Sequence, residues 1–355
     1  MRAYLLDMLI SLLVALLMPF QNGAAQTASA LQADVDRLVR AAEKLDGAWL
    51  SQPAPPIPEV AVVARHGTSV VPLLLHLLSD DPNAERDRKR WKVQQQVSLA
   101  LCRIYSESEH CGRTYCDGDP PERIGRVKEG WLRVIAADAE LRSSSPAELL
   151  DRFKQERVFW RQFEIGEALA ESGDRSAIKE LEGWLTHEDR HLRGNVAFVL
   201  GRLGDPRGFD TIADILTDRS PRPEGQGIPG GKWSLPAQIR SDRCYAAHLL
   251  GDLKDPRGVD VLVSLFNDDH CAYVVSWSLA QTGDPRSIAP LIKHTEQDDP
   301  SLRALAISAL EKLVARDALP RLRELLQDKR KSNFGSQITV SEAARRAIAV
   351  ISQQQ

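Results

Sequence analysis

The chain lacks an apolar stretch long enough to span a bilayer, a marked excess of either charge, and a cysteine near its N-terminus. Its N-terminal apolar run, Met8 to Phe20, is 13 residues long, short of the roughly 20 that a spanning helix needs. With 46 Lys and Arg against 49 Asp and Glu, the net charge is -3, so the basic face expected of a nucleic-acid binder is missing. The basic stretch from Arg86 to Lys92 has the pattern of a solvated helix face. Without a cysteine after the apolar run, a lipid-anchored lipoprotein is disfavoured.

What is present at the N-terminus points to export. Arg2 precedes the apolar run, and small residues follow at Ala24-Ala25 and Ala28-Ser29-Ala30, the layout of a cleaved secretory signal over residues 1–30 with cleavage near 25 or 30. Asp7 lies unusually close to the apolar run and keeps an uncleaved anchor open as the alternative. Cleavage leaves about 325 to 330 residues. The expected location is periplasmic or secreted, with peripheral or no membrane association.

Beyond the leader the chain repeats itself. Leu200-Gly201-Arg202-Leu203-Gly204-Asp205-Pro206-Arg207-Gly208 returns as Leu250-Gly251-Asp252-Leu253-Lys254-Asp255-Pro256-Arg257-Gly258 and again as Gly283-Asp284-Pro285-Arg286-Ser287. Aligning Ile178, Phe209, Val259, Ile288 and Leu319 gives spacings of 31, 50, 29 and 31 residues, a unit of about 30 with one insertion of about 20. After Ile178, Phe209, Val259 and Leu319, apolar residues recur at i+3 and i+7, as in Phe209, Ile212 and Leu216, a helical stripe. Before it, small and apolar residues such as Ala246, Ala247 and Leu250 mark a partner helix that Gly-Asp-Pro brings to a stop. A single hairpin cannot bury its stripe, so the units must stack. The expected fold is all-α, a right-handed α-solenoid of stacked helical hairpins.

The run Arg-x-x-Ala-Ala-x-x-Leu-Gly-x-Leu followed by Asp-Pro-Arg, at Arg243 to Arg257, resembles the HEAT-repeat family. It is most similar to the short HEAT-like repeats that also occur in phycobilisome lyases. The resemblance is clear from Arg161 onward, which divides the chain into an N-terminal helical region, 31–160, with degenerate repeats, and an array, 161–355, interrupted by a Pro/Gly-rich insertion at 219–236. Upstream, His66 to Leu74 looks like another second helix and Val97 to Ile104 another first helix. Trp131, Leu132 and Ile135 are the candidates to pack the irregular stretch between residues 108 and 157. The resemblance implies a binding scaffold.

Five cysteines in an exported chain raise the question of disulfides. Cys111 and Cys116 flank a Gly-containing loop and are the candidate pair. Cys102 falls at the repeat's Gly position and is expected as a buried thiol. Cys244 and Cys271 belong to adjacent first helices, about 8 to 10 Å apart at equivalent positions, so a bridge there needs a register offset.

Three patterns tempt an enzymatic reading. His187-Glu188-Asp189-Arg190-His191 spells the zincin string, but it fills an inter-repeat turn where polar capping residues are expected. Gly225-Gln226-Gly227-Ile228-Pro229-Gly230 spells a dinucleotide fingerprint without the strand it requires. Deoxyhypusine hydroxylase, a HEAT-repeat enzyme, carries His-Glu iron ligands where this chain has Gly194-Asn195, Cys244-Tyr245 and Tyr273-Val274, so that activity is excluded. A weaker metal set, Cys244, His248, His270 and Cys271, offers two thiolates and two imidazoles for zinc.

The surface offers more. Phe198, His248 and Trp277 occupy one repeat position, with Tyr273 a turn before Trp277, so successive units line up rings either as an exposed track or as inter-repeat packing. Trp233 sits in the insertion, and loops longer than about 12 to 15 residues are often functional. The expectation is an exported, non-enzymatic scaffold for a protein or peptide partner, without cofactor or nucleic acid. The alternative is a lyase-like or metal-assisted enzyme at the edge of the inter-repeat turns.

Overall fold

A computed structural model describes residues 24–45, 56–80, 88–105, 127–220, 234–267, 271–332 and 338–352. Its α-helices are α1 Ala24–Glu43, α2 Pro58–Ala64, α3 Val71–His76, α4 Arg88–Tyr105, α5 Val127–Ser143, α6 Pro146–Gln155, α7 Phe159–Glu171, α8 Ser176–Leu181 and α9 Arg190–Arg202. They continue as α10 Arg207–Thr217, α11 Leu235–Leu253, α12 Gly258–Ser264, α13 Ala272–Thr282, α14 Ile288–His294, α15 Pro300–Lys312, α16 Leu319–Glu324 and α17 Val340–Ser352. The described residues are all-α apart from one isolated bridge between Lys331 and Thr339. None of these helices is long and apolar enough to cross a membrane.

Two compact units divide the chain, residues 1–138 and 139–355. In the first, Val35 and Leu38 of α1, Val60 and Val63 of α2, Leu74 of α3 and Leu101 of α4 form a core with Trp131 and Ile135, while Leu132 is only half-buried. Trp131 Nε1 donates to Ser98 Oγ at 3.2 Å, which satisfies an indole placed in apolar surroundings. Cys102 is buried there as a thiol.

The second unit is the repeat array. It begins upstream of residue 161, because α6 already packs on α7 and buries Leu149 and Phe153 in the array's core. Five hairpins follow, α7/α8, α9/α10, α11/α12, α13/α14 and α15/α16, and α17 packs on α15 and α16. Each first helix touches the next first helix, and each second helix packs against the first helix of the following hairpin. One continuous core results, as stacking requires.

The five hairpins share one backbone turn, and the recurring phrase builds it in three of them. Gly173, Gly204, Lys254, Gly283 and Val314 each take a left-handed conformation after a first helix. The Asp of Asp-Pro-Arg then accepts the backbone N–H of its own Arg and a salt bridge from that guanidinium, at 2.6 Å for Asp205–Arg207, 2.8 Å for Asp255–Arg257 and 2.7 Å for Asp284–Arg286. Each Arg also reaches back to the preceding repeat, Arg207 to Glu182 at 3.1 Å, Arg257 to Asp210 at 3.3 Å and Arg286 to the Pro256 carbonyl at 2.6 Å. The phrase therefore builds a ladder between repeats.

Candidate interaction surface

The turn into α9 holds the zincin-like string. Asp189 is the N-cap, its carboxylate accepting from the backbone N–H groups of His191 and Leu192. His187 lies before the helix, where its Nδ1 accepts the Asp189 N–H at 3.0 Å, and His191 lies inside it. The two imidazoles do not share a helical face. His191 instead stacks on Phe159, ring centroids 4.2 Å apart, with Nε2 at 3.3 Å from Asp242 Oδ1.

Between them Arg190, 1% exposed, is the centre of a buried ion cluster. Its guanidinium meets Asp242 Oδ2 at 3.0 Å and Asp218 Oδ2 at 3.1 Å, and donates to the hydroxyl and carbonyl of Ser220. Arg193 adds a 2.7 Å bridge to Asp218, whose carboxyl is held far below the usual range, first by its hydrogen bond with Arg190. Asp218 precedes the insertion, Ser220 lies at its start, and Asp242 follows it on α11. One guanidinium thus pins both ends of the inserted segment.

A second polar group includes two of the positions compared with the di-iron ligands, Asn195 and Tyr245. Gln162 Nε2 donates to the Phe153 carbonyl at 3.0 Å, Asn195 Nδ2 donates to Gln162 Oε1 at 2.9 Å, and the Tyr245 hydroxyl donates to Asn195 Oδ1. Burial pushes the Tyr245 phenol well above its ordinary pKa. The chain spends these polar groups on one another.

The rings at the shared repeat position do come together. His248 lies 4.5 Å from Trp277, and Phe163 lies 4.8 Å from Phe198 and 5.9 Å from His248. An exposed track is corrected at its first member, since Phe198 is 2% exposed. Phe159 and Phe163 of α7 meet Tyr245 and His248 of α11 across α9, with Phe159 and Tyr245 5.0 Å apart, and so cover its face. Small residues make this possible: a Cβ on Gly194 would lie 2.8 Å from Leu249, and one on Gly201 would lie 2.6 Å from Leu253. Along the row, His248 and Trp277 are half-buried, and Tyr273 is 39% exposed. Lys312 sits over Trp277, 5.7 Å from the ring centre.

The cysteines correct the metal set. Cys244 and Cys271 form a disulfide with Cα atoms 5.1 Å apart, so neither sulfur is a thiolate able to bind zinc. The register offset arises because Cys271 is the residue before α13 and not within it. Among the described residues, no three His, Cys, Asp or Glu side chains are grouped to hold a metal ion. His270, Trp233, Cys111, Cys116 and the Gly225 to Gly230 string lie outside the described residues.

The Arg190 cluster escaped the sequence reading, although a signal existed. Arg193 and Asp218 are 25 residues apart, and the same spacing recurs in Arg303 and Asp328, which form the equivalent 2.8 Å bridge. A family model described as HEAT repeats matches residues 148–224, 240–310 and 272–334. Among solved structures, the crystal structure of an engineered protein is similar at a TM-score of 0.32 and 19% identity, covering 59% of this chain and 97% of that one. None of the curated proteins matches the chain.

Proposed function

We propose, from the premise that this chain belongs to the HEAT-repeat family over residues 148–334, that it is an exported, non-enzymatic scaffold for a protein or peptide partner. HEAT repeats serve as protein-interaction scaffolds. The carrying observation is the edge where the hairpins join: a single buried guanidinium anchors both ends of the insertion beside α11, and Tyr273 is exposed at the start of the next first helix. Both flanks of the insertion are fixed at this edge and an aromatic ring is exposed in the next first helix, and aromatic anchors dominate interface energetics. Export is supported by the leader-like N-terminus and by the Cys244–Cys271 disulfide, a bond that persists in oxidising compartments.

A photo-crosslinking residue at position 273, placed in cells where the chain is made, tests this reading. The expected result is a covalent adduct to one polypeptide in the exported fraction. Its yield falls on deleting residues 221–233 and is lost when the crosslinker is moved to the buried second-helix position 262. Adducts of equal yield at both positions, or a chain retained in the cytoplasm, would overturn it.

A further inference from the structure

The opening turn of every helix carries amide groups that need an acceptor. Asp189 supplies one for α9 and Asp299 one for α15. α13 opens on Cys271, whose side chain does not cap the helix and is bonded to Cys244 in the middle of α11. A covalent link thus stands at the position where α9 and α15 carry a carboxylate cap. Cys271 is fully buried, Cys244 is the more exposed of the pair, and Tyr273 follows two residues after Cys271 on the exposed side. The C-terminal halves of α11 and α13 are held independently. There, a Cβ on Gly251 would fall 2.6 Å from the Ser278 carbonyl oxygen, so the backbones are in contact, and His248 meets Trp277 one turn earlier. Cutting the disulfide therefore releases one turn and leaves the rest of the pair packed.

We propose that the Cys244–Cys271 disulfide is a redox latch on the first turn of α13, opened by a dithiol reductant. That the latch controls partner binding through Tyr273 rests on the scaffold reading; its chemistry does not. A thiolate of the reductant bonds to Cys244 Sγ, the Sγ–Sγ bond breaks, and Cys271 leaves with the electron pair as a thiolate. The second thiol of the reductant, after losing its proton, bonds to the first reductant sulfur and displaces Cys244, which takes up a proton. The reductant is oxidised by two electrons to its own disulfide, and the protein gains two electrons and two protons as Cys271 is protonated in its turn. Cys271 is the better leaving group because its sulfur departs at the N-terminus of an 11-residue helix, where the dipole and the amide groups stabilise a thiolate.

The test uses the full chain in graded dithiothreitol, with peptide-resolved mass spectrometry and amide hydrogen exchange. Reduction is expected while cooperative unfolding is retained, with exchange of residues 272–275 about tenfold faster than in the disulfide form. Glutathione, a monothiol, is expected to leave its mixed disulfide on Cys244. A chain carrying Cys244→Ser and Cys271→Asp recovers slow exchange in that turn, because Asp caps as it does in α9 and α15; Cys244→Ser with Cys271→Ala does not. Reduction that proceeds only with global unfolding, a glutathione adduct on Cys271, or unchanged exchange at 272–275 would each overturn the latch. None of these readouts involves a partner, so their failure leaves the crosslinking result at position 273 standing, and failure of the crosslink leaves the latch standing.

Discussion

Lys254 has φ 58° at the position where Gly173, Gly204 and Gly283 have φ 71°, 87° and 65°. A side chain in that conformation costs about 1–2 kcal/mol, which the hairpin tolerates because the following Asp-Pro-Arg fixes the turn. Lys254→Gly is therefore expected to stabilise the array by about 1 kcal/mol and to raise its melting temperature by about 2–4 °C by calorimetry; an unchanged or lowered transition would show that the turn is not strained. Arg190 works in the opposite direction. Arg190→Met leaves Asp218 and Asp242 without their shared cation and is expected to cost about 3–5 kcal/mol in urea unfolding, and adding Asp242→Asn should recover part of that loss. Equal losses in the single and double variants would show that packing, not uncompensated charge, sets the cost. The Asp-Pro-Arg ladder could be read from the sequence because each Asp and Arg sit two residues apart. Of the Arg190 cluster only the recurring spacing of Arg193 and Asp218 left a trace, because the partners of Arg190 itself lie 28 and 52 residues away across the insertion.

Helix pairs depend on how closely their backbones approach, and that is set by a few small residues. Gly251 faces the backbone of Ser278, with a Cβ there only 2.7 Å from the Ser278 Cα, whereas Gly183 has nothing within 4 Å of the same test position. Gly251→Ala is expected to push α11 from α13 and cost about 3 kcal/mol, while Gly183→Ala leaves stability within about 0.5 kcal/mol; equal urea midpoints for the two variants would contradict close packing at Gly251. The same reasoning explains what the sequence did and did not disclose. Periodicity placed Phe198, His248 and Trp277 at one repeat position; His248 meets Trp277, and Phe198 is joined to them through Phe163. Their exposure was not legible, because it depends on α7 and α11 meeting across α9, a consequence of Gly194 and Gly201 that no single helix reveals. Cys244 and Cys271 were identified as a pair needing an offset, and the offset comes from Cys271 ending a turn, which a helical register treats as part of the helix.

Each repeat packs only on its neighbours, so the array's stability is a sum of hairpins and of the interfaces between them, and a charge appearing in one interface weakens the stack there. His294, at the end of α14, is such a site. It is 3% exposed, stacks on Phe266 of the preceding repeat with centroids 3.9 Å apart, and its Nε2 has no hydrogen-bond partner. Burial lowers its pKa from 6.5 to about 4. Between those values the unfolded chain binds a proton that the folded chain refuses, so acid favours unfolding: the contribution is complete above 6.5 and is lost as pH falls toward 4. The shift corresponds to at most about 3 kcal/mol. The Asp328 carboxyl, lowered from 3.8 to about 2 chiefly by its hydrogen bond with Arg330, acts in a separate and more acidic window, where its stabilisation is lost as pH drops below 3.8. Urea midpoints measured from about pH 7 down to about pH 4 are therefore expected to decline in the wild-type chain, and to decline less in His294→Leu, which keeps the apolar contact and removes the titrating group. If His294→Leu follows the wild-type slope, acid lability in this range arises elsewhere in the molecule, and the stacked Phe266–His294 contact is not its source.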